Sequence, residues 1–263
     1  MLKIQSLASG SRGNSILVCS DETKILVDVG VSLPVLLKRL EDAMVYPDEI
    51  NAIVVTHEHS DHIYGVARFA KKFGVPLYIP AQARGCFMDK IGHVDERQIH
   101  IFDKAFYVGN IFVDYFPVPH DSMFCFGYSF AVGDAKISVA TDLGVATDET
   151  LFKMANSQIV LLECNHDLVK LSNNTKYPSW LKRRISGNRG HLSNIACGDA
   201  ISKLAGLGVQ QVILAHLSSE NNSPTLAYST VKDFLAKKGL IEGQDISIDI
   251  ALQDKVSNVF QVD

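Results

Sequence analysis

The chain has 263 residues, 47% of them hydrophobic and 21% charged, which is typical of a globular protein with a full apolar core. No apolar run approaches the roughly 18 residues of a membrane-spanning helix, and the N-terminus lacks the long apolar region of a signal peptide. The formal net charge of −4 indicates no general attraction to nucleic acid or anionic membranes. We therefore expect a cytoplasmic protein with no membrane contact; its oligomeric state is open.

The first half of the chain predicts strands followed by alternating helices and strands. Short β-branched runs predict strands at 4–8, 15–19 and 24–29. Next come a helix at 33–43, a buried strand at 52–55, a helix from 62 to 73 ended by Gly74, and a strand at 77–79.

The second half of the chain repeats this order. We expect strands at 111–116, 125–132 and 136–140, a helix at 149–155, a strand at 159–162, a helix at 193–207, a strand at 212–214, a helix at 225–238, and short closing strands. Two such series predict two packed sheets with helices outside. No linker divides them, so we predict a single domain over residues 1–263.

Five of the nine histidines, and one aspartate, come directly after predicted strands. They are His57, His59, His62, His120, His216 and Asp142. Ligands of α/β proteins bind beyond the carboxyl ends of strands, where loops converge above a rigid sheet. Four separate strands that each deliver a histidine or aspartate predict one shared site.

The segment His57-Glu58-His59-Ser60-Asp61-His62 carries the strongest signal. In extended chain, residues i and i+2 project to the same side, so His57 and His59 can hold one metal. Asp61 and His62 lie at the turn into a helix and can face a second metal. Imidazole and carboxylate suit Zn²⁺. The alternative is a polar loop whose histidines are incidental.

This segment and the later His, Asp and His resemble the metallo-β-lactamase superfamily. The resemblance implies an αββα four-layer sandwich of two mixed sheets flanked by helices. It implies one metal on His57, His59 and His120, a second on Asp61, His62 and His216, and Asp142 bridging both. Asp28 matches a buried aspartate that braces the metal loop, although a solvated turn aspartate is an equal alternative.

Two cations lower the pKa of a shared water and hold it as a hydroxide nucleophile. Asp61 is accordingly counted among the catalytic residues. Zn²⁺ or Mn²⁺ suits the ligands, and Fe remains open. An alkoxide leaving group also needs a proton from a general acid.

The motifs around Glu163 and His191 resemble those of nuclease-type members such as the tRNA 3′-processing enzymes. That resemblance implies that His191 is the general acid and that Glu163 orients it. A helix-cap or surface histidine is the alternative interpretation of His191, and the role of Cys164 and His166 stays open. The five cysteines are odd in number and contain no C-x-x-C pair, which argues against disulfides and a zinc knuckle.

With Ser9-Gly10-Ser11-Arg12-Gly13-Asn14 and Gly190-His191-Leu192-Ser193-Asn194, nearly the whole chain resembles the YycJ/WalJ group. The resemblance implies a 5′–3′ exonuclease with DNA as its partner. From residue 168 to 198 there are basic residues but no Asp or Glu, which favours a strand-guiding patch. The candidate substrate contacts are Ser9, Ser11, Asn14, Lys182, Arg183, Arg184, Arg189 and Asn194.

Other classes of protein remain as alternatives. A small-molecule phosphodiesterase or ester hydrolase would use the same site. A di-iron redox protein typically has Glu where this chain has His59. A metal-binding module without catalysis is disfavoured by the complete ligand set.

Overall fold

Two seven-stranded β-sheets form the centre of the computed structural model, which describes residues 1–263. The first sheet contains β1 (Leu2–Ala8), β2 (Ser15–Cys19), β3 (Lys24–Val27), β4 (Ala52–Val54), β5 (Leu77–Pro80), β6 (Ile99–Phe102) and β14 (Phe260–Val262), in the order β14-β1-β2-β3-β4-β5-β6. The second contains β7 (Phe106–Val108), β8 (Ile111–Pro117), β9 (Phe126–Val132), β10 (Ala135–Ala140), β11 (Ile159–Glu163), β12 (Gln211–Ala215) and β13 (Ser247–Ile250), in the order β13-β12-β11-β10-β9-β8-β7.

Nine α-helices complete the fold. They are α1 (Leu33–Asp42), α2 (Ser60–Ile63), α3 (Val66–Phe73), α4 (Arg84–Ile91), α5 (Asp148–Met154), α6 (Leu168–Asn173), α7 (Ser179–Ile185), α8 (Asn194–Gly206) and α9 (Pro224–Lys237). Buried residues of α1, α3 and α4 pack on the first sheet, and those of α5, α8 and α9 pack with the second. Residues of both sheets share one apolar core. The predicted αββα sandwich is confirmed.

Both sheets are mixed, and this decides where the loops meet. β3, β4, β5 and β6 run parallel in the first sheet, as do β10, β11, β12 and β13 in the second. β8 and β10 both pair antiparallel with β9, so they point the same way. The carboxyl ends of β8, β10, β11 and β12 therefore lie along one edge.

The prediction of one continuous helix from 62 to 73 is wrong. The structure has two helices, α2 and α3, separated at Tyr64 and Gly65. The Gly65 amide donates to the Val29 carbonyl at 2.7 Å, and a Cβ on Gly65 would lie 2.3 Å from the Val31 carbonyl oxygen. The helix is interrupted here because only a glycine allows the chain to approach the loop after β3 so closely.

Several elements were not predicted, namely α4, β6, β7, α6 and α7. The last two are short, and α7 has no buried residue, so their apolar periodicity is weak. No helix is both long and apolar enough to span a bilayer. All five cysteines are free, and three of them are buried.

Candidate metal centre

The loops after four strands bring the seven predicted metal ligands into one centre between the sheets. Nitrogens of His57, His59 and His120 lie within 4.8 Å of one another. The ligand atoms of a second group, Asp61, His62 and His216, likewise lie within 4.8 Å of one another. Asp142 lies between them: its Oδ2 is 3.0 Å from His62 Nε2 and its Oδ1 is 3.8 Å from His120 Nε2. The geometry is that of two ligand sets with one carboxylate between them.

Two ring nitrogens that face this centre are buried without a hydrogen-bond partner. They are His57 Nε2 and His216 Nε2. Leaving a buried polar atom unpaired costs about 1–3 kcal/mol, so such atoms are rare unless something binds them. Imidazole nitrogens and carboxylate oxygens suit a divalent cation of borderline character. The residues therefore fit a pair of metal ions.

In three histidines of the centre, the nitrogen that points away from it contacts another group of the protein. His62 Nδ1 lies 2.7 Å from Asp28 Oδ2, and His120 Nδ1 lies 3.1 Å from the Gly190 carbonyl. His57 Nδ1 lies 3.1 Å from Thr56 Oγ1. A partner on Nδ1 fixes the ring and leaves Nε2 for a metal.

Asp28 is 1% exposed, so it is not a solvated turn residue. Besides its contact with His62, its Oδ1 accepts from the Thr56 amide and its Oδ2 from the Thr56 hydroxyl, both at 2.8 Å. The hydroxyl of Thr56 thus links Asp28 to the ring of His57. Sequence reasoning missed Thr56, whose position just before His57 was the available signal.

Glu163, at the end of β11, holds two histidines. Its Oε1 lies 2.8 Å from both His191 Nδ1 and His216 Nδ1. Its Oε2 accepts from the amides of Leu143 and Leu192 at 3.0 Å. The contact with His191 matches the expected pair, whereas the contact with His216 was not expected. Glu163 therefore connects the candidate proton donor with a candidate metal ligand.

Three residues of the centre adopt left-handed backbone angles. The φ values are 62° for Asp28, 57° for Asp142 and 53° for His216. Each follows a strand by one or two residues. Such angles are costly for residues with a Cβ and persist where the surroundings dictate them. The turn redirects each side chain from the sheet toward the centre.

The charges of the centre compensate one another. Burial opposes the charged form of Asp142, but His216 and His62 outweigh it and hold the pKa of Asp142 well below its ordinary value. Burial likewise opposes ionisation of Glu163, and His191 lowers its pKa to about 2 against that effect. Both carboxyl groups are therefore anionic at neutral pH, as metal coordination and imidazole orientation require.

Asp121 is a polar neighbour that sequence reasoning missed. Its Oδ1 is buried without a hydrogen-bond partner and lies 3.2 Å from His120 Nε2. Its other oxygen forms an ion pair with Arg184. Its position directly after His120 was the only signal in the sequence.

The basic segment from residue 168 to 198 is only partly free of contacts within the protein. Arg189 donates to the carbonyls of His120 and Ser122 at 2.8 and 3.0 Å, and Lys182 donates to the Ser172 carbonyl. With the Arg184 ion pair, these contacts fasten α7 and its following loop. Arg183 is exposed and forms no ion pair or side-chain hydrogen bond.

The N-terminal turn presents only one of its three candidate substrate contacts to solvent. Ser9 is 2% exposed, and its hydroxyl accepts from the His216 amide at 2.7 Å. Asn14 is also buried, accepting from Gly10 N and approaching His62 Nε2 at 3.1 Å. Ser11 is exposed and lines an open cavity beside Asp61. Ser9 and Asn14 thus support the centre, and only Ser11 is accessible.

Asn194 is likewise not placed to touch a substrate. It is 1% exposed, and its side chain bonds with Asn222 and Cys164. This network joins the start of α8 to the loop after β12. Every polar atom of the side chain is already paired inside the protein, which argues against the expected contact with a substrate.

The sequence and the fold both match known proteins. The model of the metallo-β-lactamase superfamily matches residues 8–134. Exodeoxyribonuclease WalJ of Streptococcus pneumoniae is 36% identical over 94% of this chain and 93% of its own length. Exodeoxyribonuclease YycJ of Bacillus anthracis is 34% identical over 94% of both chains.

Among solved structures, the metallo-β-lactamase fold protein YhfI of Bacillus subtilis superposes with a TM-score of 0.72 at 17% identity, covering 97% of this chain and 98% of that one. This structural similarity supports the assignment of the fold, and the sequence relatives identify the family. With its hydrolase fold and its histidine–aspartate centre, the chain belongs to the WalJ/YycJ family of enzymes within the metallo-β-lactamase superfamily.

Proposed function

We propose that the protein is a dinuclear-metal-dependent phosphodiester hydrolase that acts on DNA as a 5′–3′ exonuclease. Relatives that match over nearly the whole chain carry the name exodeoxyribonuclease. The observation in this chain that carries the proposal is the Glu163–His191 pair at the edge of the metal centre. A proton donor is what the alkoxide leaving group of a phosphodiester needs.

The residues of the centre would divide between two ions. His57, His59 and His120 would hold one ion, Asp61, His62 and His216 the other, with Asp142 between them. Zn²⁺ or Mn²⁺ suits these donors best. When bound, the pair supplies a water of lowered pKa and neutralises charge on the phosphoryl oxygens.

Three observations support His191 as the proton donor. Its Nδ1 lies 2.8 Å from Glu163 Oε1 and 3.6 Å from Asp142 Oδ1, while its side chain stays 23% exposed. Burial disfavours charge on His191, but Glu163 and Asp142 outweigh it and raise its pKa. The protonated ring can thus persist near neutral pH with its Nε2 available to a leaving oxygen.

A nuclease panel tests this proposal. Duplex DNA, single-stranded DNA, RNA, a cyclic nucleotide and a carboxylic ester would be assayed with the Zn²⁺- or Mn²⁺-loaded protein. We expect mononucleotides released from the 5′ end of DNA. Preference for the cyclic nucleotide or the ester would contradict the assignment.

His191→Ala should lower the rate of DNA cleavage by about 10²–10⁴-fold, the usual contribution of a general acid. His100→Ala, a change on β6 in the first sheet, is the matched control. Metal content by elemental analysis should be unchanged in both variants. Full activity in metal-loaded His191→Ala protein would remove His191 from the mechanism.

A further inference from the structure

A cavity of about 330 Å³ is lined in part by His191 and by none of the seven predicted metal ligands. The loop after Asp142, the segment before His191 and the first turns of α8 form its walls. Ligand pockets generally measure about 300–1,000 Å³. The cavity therefore has room for one small organic molecule, and His191 forms part of its wall.

His166 lines this cavity and has no role in the metal centre. The residue is 1% exposed, yet neither of its ring nitrogens has a hydrogen-bond partner. Its backbone is held, since its carbonyl accepts from the Asn194 amide at 2.8 Å. Burial lowers the pKa of His166 to about 4, so the ring is neutral and can both donate and accept. Such an unpaired group is costly unless a ligand engages it.

The remaining walls combine apolar and polar surface. Val145, Leu192 and Ala196 contribute apolar surface, on which a planar ring could pack. Asn188 contributes an amide, and Lys203 contributes an ammonium group that pairs with Asp199 of the same wall at 3.3 Å. The base of a nucleotide presents the matching parts: a flat ring and hydrogen-bonding edges. The chemistry of the walls therefore fits a nucleotide.

We infer that this cavity binds the terminal nucleotide of the DNA strand, with His166 as a binding residue; the inference rests on the proposed function. In 5′–3′ hydrolysis the oxygen of water bonds to phosphorus, and the bond from phosphorus to the 3′-oxygen of the terminal nucleotide breaks. That 3′-oxygen takes its proton from His191. The departing nucleotide therefore lies beside His191, whose side chain also lines the cavity.

Binding of deoxyadenosine 5′-monophosphate to the metal-loaded protein tests the inference without any turnover. Ala196→Phe would fill the cavity, and His166→Ala would remove the unpaired ring. Calorimetry should show binding weakened by about tenfold in each, as expected for the removal of one well-made interaction. Ile195→Phe, on the neighbouring exposed position of α8, should bind like the unchanged protein.

Inorganic phosphate, which can engage the metals alone, should bind equally to all of these proteins. His166→Asn keeps hydrogen-bonding capacity and should restore part of the missing affinity, which a merely destabilised variant would not show. Unchanged nucleotide affinity in Ala196→Phe and His166→Ala would overturn the inference even where DNA is degraded. Nucleotide binding without any DNA hydrolysis would instead count against the proposed function.

Discussion

At the scale of single residues, the centre works through the two nitrogens of each imidazole. His62, His57, His120 and His216 each direct Nδ1 to a partner within the protein, and these partners are different groups: a carboxylate, a hydroxyl, a carbonyl and a second carboxylate. The opposite nitrogens face the centre. Each ring is thus oriented before any metal arrives, which lowers the cost of ordering on binding.

Asp28→Asn is the sharpest test of this arrangement. The substitution keeps the size of the side chain but removes the charge opposite His62. We expect metal affinity to fall by about 10–100-fold, the usual effect of removing a group that orients a ligand. Competition with a chromophoric chelator measures it, and Asp21→Asn, at an exposed turn, is the control. Equal affinity in the two variants would mean that Asp28 only supports folding.

At the scale of elements, the basic helix α7 is tied to a ligand loop. Arg184 pairs with Asp121, and Arg189 donates to the carbonyl of His120. α7 itself buries no residue, so packing alone does not hold it. The position of this helix therefore depends on the loop that carries His120, and Arg183 is the arginine left free for a phosphate.

Reversing the charge of Arg183 and of Arg184 separates these roles. Arg183→Glu should flatten the dependence of log K for DNA on log salt, by about 0.7–0.9 for each phosphate that the protein no longer neutralises. Arg184→Glu should instead slow hydrolysis of a small phosphodiester, because it frees Asp121 beside His120. Lys237→Glu on α9 serves as the control. An unchanged salt slope in Arg183→Glu would refute a DNA-guiding role for α7.

At the scale of the whole molecule, the metal centre joins the two sheets. His57, His59 and His62 come from the first sheet, while Asp142 and His216 come from the second. The sheets also share one apolar core. We propose that the 263 residues fold as one unit, which bound metal would stabilise.

Removal of metal should lower the midpoint of thermal unfolding. An ion at about 1,000 times its Kd stabilises a protein by about 4 kcal/mol, and each kcal/mol corresponds to about 2–4 °C in a chain of this size. Calorimetry with and without a chelator measures the shift, and readdition of Zn²⁺ should reverse it. Two separate transitions would contradict the single unit, and an unchanged midpoint would contradict a stabilising role of the centre.

Much of the fold and site follows from local pattern. β-branched runs with helical stretches between them predict both sheets, and the segment from His57 to His62 places four candidate ligands without knowledge of the fold. These features are visible because strand and helix periodicity, and the spacing of ligands in a tight loop, are set by neighbours in the chain.

Only the tertiary structure decides which distant groups meet. It pairs Glu163 with His216 as well as His191, buries Ser9 and Asn194 in hydrogen bonds, and breaks a predicted helix at Gly65. None of these depends on local spacing, since each contact joins elements far apart in the sequence. The sequence by itself therefore determined the layered fold and the candidate ligands, whereas packing between elements decided which polar groups remain free to act.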